Sequence, residues 1–259
     1  MKSVAIFRHA ATEGPGYFGD FLDQQAIPWQ LIRIDAGEVV PREIGNYCGL
    51  VFMGGPMSVN DDLPWIPPLL ALIDYAIAHD IPVLGHCLGG QLMAKAMGGV
   101  VTRNPVKEIG WGQVTVSDNE QARAWFGETN SFEAFHWHGE TFSLPQGATH
   151  LLSSAHCGNQ GFSLGKHLAL QCHVEMTAEL IRSWCEVGAD EVAASTASAA
   201  SITSAVSTNS PAVQPVPQIL KQMEKKLPSL NAIAARLYQH WIAGLDRTGL
   251  DRAGLAKAR

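Results

Sequence analysis

A chain of 259 residues, 46% hydrophobic and 16% charged, can bury one sizeable α/β core and still carry an appendage. Its net charge of −6 and pI near 5.9 exclude broad nucleic-acid binding, which needs clustered Lys and Arg, and point to a small-molecule partner. Its five cysteines are widely spaced without a Cys-X-X-Cys pair, which excludes a disulfide framework and a zinc knuckle and suggests reduced thiols.

The N-terminal run from Met1 to His9 meets charge too early for a signal peptide. No apolar run reaches the roughly 18 residues of a membrane span, so the expected location is the cytoplasm, with no membrane partner. Short apolar runs at 4–7, 31–34, 50–53 and 82–84 are bounded by turn residues and spaced widely enough for crossover helices. That rhythm predicts an α/β fold with a doubly wound, mostly parallel sheet. Arg8 and His9 end the first run, where such sheets bind ligands and where a solvated strand end is the equal alternative, and Gly14-Pro15-Gly16 reads as a turn. Between the third and fourth runs, Leu69, Leu70, Leu72, Ile73, Ala76 and Ile77 recur at helical spacing. A second helix over 88–97 stops at Gly98-Gly99.

Beyond it the pattern changes to strands at 100–103, 113–116, 131–136, 148–154, 162–164 and 167–171, a small additional antiparallel layer. Thr177 then caps a helix through Glu179, Leu180, Ile181 and Trp184, which closes the main domain over 1–187. Residues 188–218 are rich in Ala, Ser, Thr, Val and Pro with little charge, the composition of a flexible linker. In the C-terminal segment, 219–259, Leu230, Ile233, Leu237 and Trp241 share one helical face that docks on the main domain. That segment holds eight basic and three acidic residues, so the rest of the chain carries −11. Its basic face reads as solvated.

Chemistry concentrates at Gly85-His86-Cys87-Leu88-Gly89. Glycines flanking a nucleophile permit a sharp strand-to-helix turn that lifts the thiol to the sheet rim and aims free helical N–H groups at it. A cysteine nucleophile needs a base, and the base needs an orienting partner. His173 and Glu175 supply both: two apart in extended chain, they face the same way, with Cys172 and Val174 turned to the core. Glycine at 54 and 55 lets backbone approach a substrate closely. His136 and His138 with His150 or His156 suggest a metal set, but nothing fixes their convergence, and the expectation is no metal and no cofactor. No Gly-X-Gly-X-X-Gly or Walker pattern is present.

The elbow cysteine, His173-X-Glu175 near the domain's end and Gly54-Gly55-Pro56 after the third strand run, in that combination, resemble the class I glutamine amidotransferases over residues 1–187. The resemblance implies a flavodoxin-like fold and a reaction in which the cysteine attacks glutamine's side-chain amide, ammonia leaves and a γ-glutamyl thioester is hydrolysed. It implies Cys87 as nucleophile, His173 as general acid/base, Glu175 as its orienter, Gly55 and Leu88 as backbone donors to the oxyanion, and Gly54, Gln91 and His138 as substrate contacts. Val174 stands where many members carry proline. That departure, with Glu108-Ile109-Gly110-Trp111 and Phe135 to Glu140, is similar to stand-alone GMP-synthase-like members. An ammonia-accepting synthase would then be a separate chain. Two alternatives accompany this reading: a γ-glutamyl peptide hydrolase using the same triad, and a non-catalytic module that binds or regulates through the glutamine site.

Overall fold

The computed structural model describes residues 2–196 and 210–246. In chain order the strands are β1 (Ser3–Arg8), β2 (Trp29–Arg33), β3 (Tyr47–Phe52), β4 (Val83–His86), β5 (Val101–Val116), β6 (Ser131–Phe142), β7 (Thr149–Ser154), β8 (Gly161–Leu164), β9 (His167–Leu170) and β10 (Ala212–Val213). The helices are α1 (Gly16–Gln24), α2 (Ile66–Ala78), α3 (Leu88–Ala96), α4 (Glu120–Phe126), α5 (Ala178–Val187), α6 (Ala189–Thr196) and α7 (Val216–Ile242).

Five strands in the order β9-β4-β3-β1-β2 run parallel. Their inner residues are apolar without alternation because helices cover both faces: Val4, Ala5, Ile6 and Phe7 of β1 are all fully buried. On one face α1 and α7 bring Phe18, Leu22, Tyr238 and Trp241 against Val4 and Ile6. On the other, α2 and α3 bring Leu69, Ile73, Leu92 and Met93 against Ala5 and Phe7. Beyond β9 the sheet turns antiparallel through β8, β7, β5 and β6, and the short β10 pairs parallel with β5. No helix among the described residues is long and apolar enough to cross a membrane.

Three local expectations are revised. The runs at 100–103 and 113–116 belong to one strand, β5, whose register against β6 shifts between Arg103 and Glu108. Pro105 lacks an N–H, and Gly110 and Gly112 thin the β signal, so the middle of the strand is silent in sequence. Gly14-Pro15-Gly16 leads into α1, with Pro15 as its N-cap and Gly16 as its first residue. Of the stretch read as linker, 189–196 is helical, Ala212 and Val213 pair with Glu108 and Ile109, and α7 begins at Val216; residues 197–209 lie outside the described residues. Its described parts are held by long-range partners that composition does not reveal, Val192 and Val213 joining the core. Gln214 brackets the main chain of Trp111, accepting from its N–H and donating to its carbonyl, both at 2.9 Å. Helix α7 is longer than its apolar stripe implies and shares a core with β1, β3 and α1. Residues 247–259 of the C-terminal segment lie outside the described residues.

Candidate active site

β4 ends at His86, and the chain turns at Cys87 with φ 51° and ψ −107°, a conformation that costs a non-glycine residue energy. The turn is held from both sides: the Cys87 N–H donates to the Leu170 carbonyl of β9 at 2.8 Å, and the Gln91 N–H of α3 donates to the Cys87 carbonyl at 3.0 Å. Glycine is required at 89 because any Cβ there would collide with the Phe52 carbonyl of β3. Helix α3 therefore lies on the sheet backbone itself, with its first N–H groups directly beyond the sulfur. Cys87 is 7% exposed. Burial and the negative charges of Glu13 and Glu175 push its thiol up, while a backbone hydrogen bond from Leu88 works to lower it.

His173 and Glu175 follow β9. The imidazole Nδ1 lies 2.6 Å from Glu175 Oε1, and the other carboxylate oxygen accepts the Val174 N–H at 2.9 Å and approaches His86 Nδ1 at 3.1 Å. Burial alone would raise the Glu175 carboxyl, yet the His86 and His173 imidazoles hold it well below the usual carboxylate range. An ionised Glu175 selects the His173 tautomer with the proton on Nδ1. Nε2, buried and without a hydrogen-bond partner, is left with its lone pair. The ring stands edge-on to Trp184 of α5 at 4.7 Å, and Trp184 is fixed by its Nε1 donating to the Thr12 carbonyl at 2.8 Å.

Cys87, His173, Gly55, Gln91 and His138 line one cavity of about 1000 Å³. Glu175 stands behind His173, and Leu88 is the first residue of α3. A Cβ on Gly55 would lie 2.8 Å from Leu88 Cδ2, so the Gly55 backbone packs against the Leu88 side chain. Gly54 lies between Glu13 and His173, where a Cβ would force the end of the Glu13 side chain to shift. His138 reaches the cavity wall with both ring nitrogens near acceptors, Nδ1 3.1 Å from the Glu140 carbonyl and Nε2 3.2 Å from Glu108 Oε2.

The histidine pair also corrects an expectation. His136 and His138 gather with Glu108 from the paired strand β5, ligand atoms within 4.8 Å, whereas His150 is engaged with Ser117 and the Gly158 carbonyl. Between the three sits the Gln160 amide nitrogen, 2.7 Å from Glu108 Oε2, 3.2 Å from His138 Nε2 and 3.4 Å from His136 Nδ1. A hydrogen-bonding amide thus fills the middle of the cluster.

Sequence reasoning missed three groups around the sulfur. Glu13 lines the cavity, and burial together with the charge of Glu175 raises its carboxyl to about 8. His86 supplies the second imidazole on Glu175. Gln171 lies 3.5 Å from Cys87 Sγ through Nε2. The alternation that put 173 and 175 on one side extends to 171 and would have found it; no local signal marks Glu13.

Residues 25–183 match the family model for class-I glutamine amidotransferases. A glutamine amidotransferase from Methylobacillus flagellatus has a similar structure over 95% of this chain and 96% of its own, with a TM-score of 0.87 at 46% identity. In sequence, the glutamine amidotransferase-like protein YfeJ of Salmonella typhimurium is 29% identical over 71% of this chain and 80% of its own. Gamma-glutamyl peptidase 3 of Arabidopsis thaliana is 30% identical over 64% of this chain and 71% of its own.

Proposed function

This chain belongs to the class I glutamine amidotransferase family, and from that premise we propose that it hydrolyses the side-chain amide of glutamine through Cys87, His173 and Glu175. The observation that carries the reading is the unpartnered His173 Nε2 on the same cavity as a cysteine held in a strained elbow.

His173 Nε2 takes the proton of Cys87 Sγ as the sulfur attacks the amide carbon. The oxygen of the tetrahedral intermediate takes hydrogen bonds from the Gly55 and Leu88 N–H groups, each such donor contributing about 10² to 10³ in rate. On collapse the C–N bond breaks, His173 returns its proton to the departing nitrogen, and ammonia leaves a γ-glutamyl thioester. Water, giving its proton to His173, attacks the thioester. Glutamate leaves and the proton returns to sulfur. Glu175 stabilises the imidazolium formed in each half and keeps the ring in one tautomer. Gln91, Gly54 and His138 hold the substrate, and ammonia passes to an acceptor enzyme on another chain. Glutamine incubated with the protein is expected to yield glutamate and ammonia, and the Cys87→Ala protein to yield neither; equal turnover by both proteins refutes the assignment.

The cavity favours a second reading. Its walls extend from Cys87 to Arg103, Lys107, Trp137 and Glu191, and about 1000 Å³ is the upper end of the range for drug-sized ligands. A leaving group larger than ammonia fits there, as in a γ-glutamyl peptide. Comparing kcat/KM for glutamine, γ-glutamyl dipeptides and glutathione separates the two substrates.

A further inference from the structure

We propose that the Gln171 side-chain amide donates a hydrogen bond to Cys87 Sγ and stabilises the thiolate, with Gln91 fixing the direction of that amide. The proposal rests on the reading of Cys87 as nucleophile. Gln171 Nε2 lies 3.5 Å from Sγ, a normal length for a nitrogen donor to sulfur. Its Oε1 accepts from Gln91 Nε2 at 3.1 Å. A primary amide has one accepting and one donating end, so an oxygen committed to Gln91 turns the N–H₂ group towards the sulfur.

Gln171 is fully buried and lies off the cavity wall, so it approaches the sulfur from the protein side and leaves the substrate side open. Its own main-chain N–H is held by the Gln160 carbonyl at 2.9 Å, and the preceding carbonyl, of Leu170, holds the Cys87 N–H at 2.8 Å. The strand end that delivers His173 therefore also supports the elbow. Around the sulfur, two donors, the Leu88 N–H and the Gln171 amide, act against burial and the carboxylate of Glu175, joined by that of Glu13 once it ionises. A neutral donor suits this place: it lowers the cost of the negative sulfur without competing for the proton, which passes from Sγ to His173 Nε2 and back.

The test is the rate at which iodoacetamide alkylates Cys87 in the whole protein from pH 5 to 10, with the modified peptide identified by mass. Gln171→Glu is nearly isosteric and puts an acceptor against the sulfur; Gln171→Met keeps the volume and removes the polarity. Both should slow alkylation at pH 7, Gln171→Glu about tenfold or more, by moving the thiolate limb up by about one pH unit. Gln91→Leu should move it the same way by less. In Gln171→Met, kcat for glutamine should fall with KM nearly unchanged, because the residue faces no substrate.

Folded variants, by circular dichroism, whose alkylation profiles overlay that of the parent overturn the role of Gln171 and leave the triad standing. A parent cysteine that neither alkylates nor turns over glutamine removes the nucleophile and this proposal together.

Discussion

Around Cys87, charge placement decides the chemistry. A carboxyl held near 8 by burial and by Glu175, as Glu13 is, is mostly protonated at pH 7 and becomes a second negative charge beside the sulfur and the oxyanion as pH rises through 8. The parent's kcat/KM is therefore expected to decline above pH 8, and the Glu13→Gln plateau to extend further, as measured by pH–rate profiles. Stability follows the same proton. The unfolded carboxyl releases it near 4.5 and the folded one near 8, so the folded state binds more protons in that window and loses stability as pH rises across it. Urea unfolding should find Glu13→Gln more stable than the parent by about 1–3 kcal/mol at pH 8, with the difference gone near pH 4.

The elements that carry these side chains are set by packing. Helix α3 can lie on the sheet because positions 85, 89 and 90 have no Cβ, the approach at 89 being the tightest. Gly89→Ala must push the helix away from Phe52, and with it the N–H of Leu88. It should cost about 1–3 kcal/mol by denaturant titration and lose a larger share of activity, because a catalytic N–H tolerates less movement than a core does. On the opposite face Trp241 of α7 is fully buried, lies edge-on to Phe18 at 5.7 Å and covers Gly49 of β3. Trp241→Ala should cost about 3–5 kcal/mol, read as a lower urea midpoint. The stripe of Leu230, Ile233, Leu237 and Trp241 is legible in the sequence as amphipathic. What it covers is not, since Phe18 and Gly49 lie about two hundred positions away in the chain.

Over the whole molecule, three neutral histidines set the response to acid. Burial lowers His9, His136 and His167 to about 4 each, whereas their unfolded counterparts gain protons near 6.5. Between those values the unfolded chain binds more protons, so stability is fully present above 6.5 and is lost as pH falls towards 4. Each full proton contributes a slope of about 1.4 kcal/mol per pH unit. Glu13 acts in the opposite direction in the same window, one group against these three and His240, which burial also lowers. Urea midpoints measured at pH 7 and pH 5 should therefore be lower at pH 5; equal midpoints would contradict the burial of these rings.

By itself the sequence indicated four of the five parallel strands, with β9 assigned instead to the antiparallel layer although it pairs parallel with β4, together with the turn at Cys87 and the side-by-side placement of His173 and Glu175, because these depend on period-two alternation, glycine spacing and chain order. Those are local properties, readable a few residues at a time. Only the tertiary structure decided that β5 runs unbroken past Pro105, that Glu108 completes the histidine pair around Gln160, and that Glu13, His86 and Gln171 surround the site. The physical reason is range: burial and Coulomb interaction act through space, between side chains brought together by strand order, and nothing in either neighbourhood of the chain announces the other.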